Sequence, residues 1–278
     1  MSEAGQVMNA SAGARRIRFV DQIANGDVIL MTFQDPASRF AVLGAHEAGG
    51  DLRGEILDVL ILPLPSVSPG TQVDTERGPA QWLEEGNGVG APSVFVKYRG
   101  VELMWRPGRA VLQCESGQAD ALLSAVVEFA HYESELRRIE REIADAWAEL
   151  EQDKALAFEV TTVDLERSAT VGARMNQALG RRIRLARTEP HLYMPQATLS
   201  AASRRLGEEL REKAQIEARL ETVDGQLEVF EHVYEMSGQR MGEYRAARQE
   251  HVLEWVIIVL LAAEALLMLA QTVWKRGF

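Results

Sequence analysis

The C-terminal end of the chain constrains its fold more than any other segment. Residues 252–274 form one apolar run, and a helix needs roughly 20 such residues to cross about 30 Å of hydrocarbon. Trp255 and Trp274 bracket the run at a spacing of roughly 28 Å, given a rise of about 1.5 Å per residue. Because indole rings are enriched at membrane interfaces, we predict a transmembrane helix over residues 252–274, with Trp255, Trp274 and Glu254 as interface anchors.

A carboxylate lies near the middle of this apolar run. Glu264 costs about 2.5–3.5 kcal/mol at the centre of a bilayer, whereas the Ile, Leu and Val residues of Val256–Leu269 together contribute about −4 kcal/mol. The balance favours insertion. The alternative is a buried helix of a soluble bundle, in which Glu264 pairs with an arginine.

A narrow polar stripe accompanies Glu264 along the apolar run. Gln271 follows it by seven residues, about 20° away around an ideal helix, and Ala263 and Ala270 flank the two. Polar and small residues on one side of a helix mark helix–helix contacts in membranes. We therefore predict self-association through this stripe, while an imperfect anchor with no such contact is the alternative.

The N-terminal part lacks the apolar segment of a secretory signal. We therefore expect a single-pass, tail-anchored protein with its bulk left in the compartment of synthesis. In a bacterium that is the cytosolic side of the inner (cytoplasmic) membrane. Cys114 is the single cysteine, which excludes an intramolecular disulfide and suits a reducing compartment.

Short β-rich runs separated by turn signals occupy residues 15–118, after a small and polar segment, residues 1–14, that we expect to be disordered. Their spacing predicts a small, mainly antiparallel sheet domain of α+β type. Residues 65–92 are rich in Gly, Pro and Ser and predict a long loop with one short helical piece near Gln81–Glu84. The predicted strands are Ile17–Val20, Val28–Phe33, Phe40–Leu43, Ile56–Leu62, Ser93–Tyr98, Val101–Trp105 and Arg109–Cys114.

The hydrophobic period changes from two to seven at Ala119. Residues 119–198 contain a first heptad helix and a less regular helical segment, and residues 199–251 contain a second heptad helix that forms a stalk. We predict that the two heptad helices pack as an antiparallel hairpin or coiled coil. We also expect one continuous helix from Leu199 to Trp274, since no proline interrupts it. The predicted apolar positions are Leu122, Ala125, Phe129, Tyr132, Leu136, Ile139, Ile143, Ala146 and Leu150, then Leu206, Ile216, Leu220, Val223, Leu227, Phe230, Tyr234, Met241 and Tyr244.

No constellation of catalytic or metal-binding residues stands out in the sequence. His131 and Glu135 have i,i+4 helical spacing but lack the further ligands of a zinc site, which favours a solvated helix face. Gly86–Gly90 is not followed by the Lys-Ser/Thr of a phosphate-binding loop. We therefore expect a non-enzymatic protein with no catalytic residue, no metal, no other cofactor and no small-molecule substrate.

An arginine-rich run stands out because the whole chain carries a net charge of −11, which argues against a dedicated nucleic-acid binder. Three interpretations compete: internal pairing with acidic helices, binding of anionic lipid headgroups, or binding of RNA phosphates with Tyr193 stacking on a base. A smaller cluster lies at Arg15, Arg16 and Arg18. The candidate patch for an anionic partner consists of Arg174, Arg181, Arg182, Arg184 and Arg187.

The C-terminal segment resembles the "required for meiotic nuclear division", or sporulation-protein, family. The resemblance rests on Leu253-Glu254-Trp255, then Ile257-Ile258, Leu261 and Glu264. Looser similarity extends upstream to residues 129–136 and to Arg182–Leu185 followed by Pro190–Tyr193, although the expected Asn near Ala186 is absent and Met194 replaces a Trp. The resemblance implies a soluble α+β domain on a C-terminal anchor, homo-oligomerisation, and no known enzymatic activity. For a eukaryotic source it implies the mitochondrial inner membrane.

Function follows from these expectations as one hypothesis with an alternative. We predict a tail-anchored membrane scaffold or tethering protein that homo-oligomerises through its coiled coil and its transmembrane helix, with the lipid bilayer and a protein as partners. The alternative is a membrane-tethered, RNA- or ribosome-associated factor that supports translation at the membrane. The eukaryotic members of the resembled family suggest the alternative by analogy.

Overall fold

A computed structural model of the chain describes residues 13–44, 55–64, 78–84 and 93–276, with side chains through Met268 at the C-terminal end. The expected disorder of residues 1–12, most of the loop over residues 65–92, His46 and the Gly86–Gly90 segment lie outside these ranges. Gly13 and Ala14 belong to the first strand.

Seven strands form one mixed sheet in the order β2-β3-β1-β4-β7-β6-β5. All neighbouring pairs are antiparallel except β4 and β7, which pair in parallel with Val59 opposite Ala110. Every strand predicted from the β-rich runs is present, so the sheet domain is confirmed. The strands are β1 (Gly13–Val20), β2 (Val28–Phe33), β3 (Arg39–Leu43), β4 (Glu55–Pro63), β5 (Val94–Tyr98), β6 (Val101–Arg106) and β7 (Arg109–Cys114).

The sheet buries one face because its strands alternate apolar and polar residues. In β6, Val101, Leu103 and Trp105 are buried while the residues between them are half-buried. Phe129 from the helix after β7 lies edge-on against Trp105, with ring centroids 4.9 Å apart. The first part of that helix therefore covers the apolar face of the sheet.

The helices begin with the short α1 (Pro79–Glu84), which matches the helical piece predicted near Gln81–Glu84. The period change predicted at Ala119 coincides with the start of a 35-residue helix. The other helices are α2 (Ala119–Asp153), α3 (Ser168–Tyr193), α4 (Ala201–Lys213) and α5 (Ile216–Arg276), with short 3-10 turns at Ser116–Gln118, Lys154–Ala157 and Asp164–Arg167.

The heptad pattern identifies the buried faces of these helices. All nine predicted apolar positions of α2 are buried, and so are those predicted for α4 and α5 except Tyr244, which is half-buried. The α+β class, with long helices and one C-terminal apolar helix, is therefore confirmed.

Two expectations about the helices are wrong. The chain from Leu199 onward is not one helix, because α4 ends at Lys213 and Gln215 adopts a left-handed conformation with φ of 53°. A residue in this conformation ends a helix and lets the last carbonyls find donors. Here the Ala214 amide donates to the Leu210 carbonyl at 2.9 Å, and α5 starts at the next residue, Ile216.

The second wrong expectation concerns direction, since α2 runs parallel to α4 and the start of α5. Ser203 contacts the Ala121 carbonyl, Arg211 lies 3.3 Å from Glu128, and Arg219 binds Glu140. Residue numbers therefore increase in the same direction along both partners, as they do in parallel helices. The chain returns through α3, where Arg184 binds Glu142 and His191 stacks on Tyr132. The intervening segment is thus a full helix that makes the antiparallel pairing.

The chain divides into two compact units, one of residues 1–142 and 182–225 and the other of residues 143–181 and 226–278. The first contains the sheet, α1, the first part of α2, the end of α3, and α4. The second contains the end of α2, the start of α3 and most of α5, with Trp147 of α2 lying edge-on to Phe230 of α5 at 5.1 Å.

Candidate functional site

The C-terminal part of α5 is long and apolar enough to cross a membrane. Within Ile216–Met268, an 18-residue window has a mean hydropathy of 2.0, and none of it is buried inside the protein. Trp255 is 60% exposed, and the apolar side chains that follow it are exposed to a similar degree. A soluble helix buries its apolar stripe, so this surface needs a covering that the described part of the chain does not supply.

The predicted polar stripe and the interface anchors all lie on this helix. Glu264 and Ala263 are exposed side chains, and Glu264 forms no ion pair with an arginine of the described residues. Glu254 lies 3.3 Å from His251 one turn earlier. For Ala270, Gln271 and Trp274 the structure describes helical backbone only. The helix-contact role of the stripe therefore stays a prediction.

The arginine-rich run lies on α3, where its side chains contact carboxylates. Arg174 pairs with Asp153 and Glu149 in the second unit. In the first unit Arg182 pairs with Asp224, and Arg184 makes a two-pronged contact with Glu142. Arg187 binds Asp35 at 2.8 Å, and Arg181 is engaged as well.

These pairings have the form expected of internal charge compensation, the first of the three interpretations. The second cluster behaves alike, since Arg15, Arg16 and Arg18 each contact an aspartate. An outside anion would have to displace carboxylates that are already in place. Binding of lipid or RNA to the α3 arginines stays a prediction.

A buried ion pair lies in the first unit between α2 and α4. Glu128 is fully buried and Arg211 is 6% exposed. The Glu128 carboxylate accepts a hydrogen bond from the backbone N–H of Gln196 at 2.7 Å and lies 3.3 Å from the Arg211 guanidinium. Arg211 also donates to the carbonyls of His191 and Gly207. Burial raises the pKa of Glu128, and the Arg211 charge opposes that shift.

His131 is fully buried in the same unit, which corrects the prediction that it lies with Glu135 on a solvated helix face. Its ring stacks on Phe33 with centroids 3.8 Å apart and lies 5.5 Å from Phe19. Glu135 is also buried and pairs with Arg138 and Arg39. The pattern missed this burial because α2 has a second contact face toward the sheet, beside its heptad face.

The protonation of His131 is set by these surroundings. Burial lowers its pKa to about 3, and the nearby charges of Arg39 and Arg138 act in the same direction. Neither ring nitrogen has a hydrogen bond of ordinary geometry in the described chain, although the backbone of Asp35 weakly favours the protonated form. His131 is therefore neutral at physiological pH.

Arg219 at the start of α5 joins two carboxylates of α2. Its guanidinium donates two bonds to Glu140, both of 2.8 Å, and a third to Glu133 at 2.9 Å. Burial opposes the charge of Arg219, but the two carboxylates outweigh it and raise the pKa. A heptad register usually places charges at solvated positions, whereas this network is partly buried.

Metal-binding geometry is not found among the described residues, where no group of three or more His, Cys, Asp or Glu side chains is placed to hold an ion. Cys114 is buried, and burial raises the pKa of its thiol.

Comparison with known proteins adds little. No protein-family model and no curated protein matches the sequence. Among solved structures, the chain is similar to that of the full-length CmaX protein, with 15% identity, a TM-score of 0.35 and 77% of each chain covered. A similarity at this level supports no conclusion about function, and the resemblance to the meiotic nuclear division family stays a prediction.

Proposed function

We propose that the protein is a membrane-anchored scaffold that self-associates and holds its sheet-containing unit at the surface of a bilayer. The proposal depends on the apolar C-terminal part of α5, none of which is buried inside the protein. Exposed apolar patches of this extent mark contacts with membranes or other proteins. Lipid is the covering that a continuous apolar girth fits best.

The organisation of the first unit supports a structural role. Its charged side chains largely engage one another, as in the Glu128–Arg211 pair and the Arg219 network. Buried networks of paired charges hold neighbouring elements in one arrangement, which suits a platform for a partner. The proposal extends to a single-pass arrangement with the N-terminal bulk on the side of synthesis.

Extraction of membranes at alkaline pH tests the anchor. The full chain should stay in the membrane pellet after carbonate treatment, whereas a version that ends at Glu250 should appear in the supernatant. Cooperative thermal unfolding of the shortened protein serves as the control for folding. Release of the full chain by carbonate as a stable soluble species would contradict the anchor.

Chemical cross-linking in native membranes tests the scaffold. We expect cross-linked homo-oligomers of the full chain, and co-isolation of a protein partner that survives RNase treatment. Loss of the partner with RNase would instead support the alternative, a membrane-tethered factor that associates with RNA or the ribosome. A monomer in every condition would contradict self-association.

A further inference from the structure

The turn between α2 and α3 carries two of the most exposed apolar side chains in the described part of the second unit. It comprises residues 154–167, which we call the tip, and it contains two short 3-10 turns. Phe158 is 75% exposed and Val163 is 72% exposed. Scattered apolar residues are ordinary on a protein surface, so the meaning of this pair depends on where the tip lies.

The packing of the tip leaves Phe158 on its outer side. Leu156 and Ala157, directly before it, are buried. Asp153 at the end of α2 is fully buried and binds Arg167 across the tip at 2.6 Å. Because these contacts fill the inner side of the tip, the Phe158 ring is covered only by a contact from outside the unit.

The tip lies toward the C-terminal end of α5. Trp147 of α2 packs edge-on against Phe230 of α5, and farther along both helices Thr162 of the tip lies 2.9 Å from the Tyr244 hydroxyl. Since α2 and α5 run in the same direction within this unit, the end of α2 brings the tip to the side from which the apolar run of α5 continues.

The distance from the tip to the apolar run is short. Tyr244 precedes Val252, the first residue of the predicted span, by about 12 Å at a rise of about 1.5 Å per residue. The headgroup layer on each side of a bilayer takes up about 5–8 Å of this distance. A tilt of about 20° toward the tip, the average for spanning helices, closes the few ångströms that remain. With α5 in a bilayer, the tip therefore lies at the headgroup layer.

The charges of the tip favour an apolar contact over an electrostatic one. Its two basic residues, Lys154 and Arg167, are outnumbered by the acidic residues Glu159, Asp164 and Glu166. Attraction to anionic lipids needs a cluster of Lys or Arg residues, which the tip lacks. A zwitterionic lipid surface therefore suits the tip better than an anionic one.

We propose that the tip inserts Phe158 and Val163 into the boundary between the headgroups and the acyl chains of the bilayer, as a second membrane contact beside α5. This inference rests on the proposed anchor, because α5 brings the tip to the lipid surface. Peripheral helices bury their apolar side chains about 5–10 Å into this boundary, and the tip does so with two side chains. The two contacts together hold the second unit in one orientation to the bilayer.

Fluorescence quenching on the full chain in phosphatidylcholine vesicles tests the proposal, with nitroxide-labelled lipid as the quencher. An environment-sensitive dye is attached at Glu159→Cys, an exposed site that leaves Phe158 and Val163 in place. A nitroxide near the headgroups should quench this dye at least about twofold more than one deep in the acyl chains, as shallow insertion requires. The unsubstituted chain, whose Cys114 is buried, gives the background labelling.

Glu228→Cys is the matched control, because Glu228 is an exposed glutamate of the same unit that lies about 36 Å before the apolar run along α5. A dye at this site should show no quenching above background. In the Glu159→Cys chain, Phe158→Asp combined with Val163→Asp should reduce quenching to the level of the control. Serine at the same two positions adds no charge and should act in the same direction, whereas Val229→Asp should change nothing.

A dye at Val256→Cys, inside the apolar run, separates this inference from the anchor. Quenching at residue 256 with none at residue 159 would overturn the tip contact and leave the anchor in place, while no quenching at either site would overturn both. A blue shift of the emission at residue 159 without quenching by lipid would show that a protein surface, such as a second copy, covers the tip. That result, or unchanged quenching in the aspartate variant, would overturn the proposal.

Discussion

At the scale of single residues, the interior of the first unit contains more charged side chains than the heptad pattern of α2 suggests. Glu128, Glu133 and Glu135 of α2 are all buried, although a heptad register places carboxylates on solvated positions. The register predicts which side chains face a neighbouring helix. It carries no information about a sheet that covers another face of the same helix. It also does not indicate which arginines of other helices approach these carboxylates, here Arg211 of α4 and Arg219 of α5.

His131 should make stability depend on pH. Because its folded-state pKa is about 3 and its unfolded-state pKa is about 6.5, the unfolded chain binds the extra proton between these values. Stability is therefore unaffected by this group above pH 6.5 and falls by roughly 1.4 kcal/mol per unit as the pH drops below it.

The measurement is urea unfolding of the full chain in detergent at pH 7, 6 and 5, compared with His131→Phe, whose ring keeps the stack on Phe33. The variant should lose less stability over this range, because its unfolded chain does not take up the proton that His131 would bind. Parallel stability curves for the two proteins would show that His131 is not the group responsible.

Arg219 and Arg205 allow a comparison of how much a partly buried and an exposed charge network contribute to stability. Arg219 makes three hydrogen bonds to Glu133 and Glu140 and its side chain is 24% exposed, whereas Arg205 contacts Glu208 and Glu209 and is 53% exposed. We expect Arg219→Gln to lower the free energy of unfolding by about 2 kcal/mol, since it leaves the half-buried Glu140 without its partner and leaves the buried Glu133 with Arg137 alone.

Arg205→Gln should lower that free energy much less than Arg219→Gln does, because exposed ion pairs contribute little. Chemical denaturation of both variants at one pH gives the comparison. Equal losses would mean that burial does not distinguish the two networks.

At the scale of elements, sequence periodicity predicted the strands, α2 and the buried side of α5, but missed the break between α4 and α5. The break depends on Gln215 with φ of 53°, and glutamine has no special preference for that conformation. The parallel course of α2 and α4 was also beyond periodicity, because it depends on α3 being long enough to bring the chain back. Contacts between distant residues decide both features.

Glycines in the helices give a test of element stability. Gly238 of α5 has open space where a Cβ would lie, whereas a Cβ on Gly207 of α4 would meet Pro195 at 3.2 Å and Arg211 at 2.9 Å. We expect Gly238→Ala to raise the free energy of unfolding by about 0.5–1 kcal/mol through helix propensity.

Gly207→Ala should lower the free energy of unfolding by about 1–3 kcal/mol, because the extra methyl group overpacks the contact between α4 and Pro195. Thermal and urea unfolding of the two variants measure the difference in sign. A gain in stability for both would mean that the contact at Gly207 yields without strain.

At the scale of the whole molecule, the proposed location at a membrane depends on one apolar helix, the C-terminal part of α5. The sequence alone indicated this helix, since length and hydropathy are local properties that need no tertiary contact. What the helix contacts inside a bilayer is not local, because under the proposed self-association a neighbouring copy supplies the other side of the contact. Glu264 is the residue that best tests this contact, because a polar side chain in hydrocarbon is stabilised by a hydrogen-bonding partner.

Glu264→Leu should therefore keep membrane insertion and weaken self-association. The substitution makes the helix more apolar, while loss of an interhelical hydrogen bond costs about 1–2 kcal/mol and so raises the dissociation constant of the oligomer about tenfold. Glu264→Gln should fall between the two, since an amide still forms hydrogen bonds. Ala262→Leu, about 160° away around the helix, is the control and should leave association unchanged.

Energy transfer between fluorescently labelled copies, measured over a range of protein-to-lipid ratios in vesicles, gives the dissociation constants. An unchanged constant for Glu264→Leu would place the contact between copies elsewhere, either on another face of α5 or outside the bilayer. Loss of the variant from the membrane fraction would instead contradict the energetic argument for insertion, because replacing a carboxylate by leucine can only favour hydrocarbon.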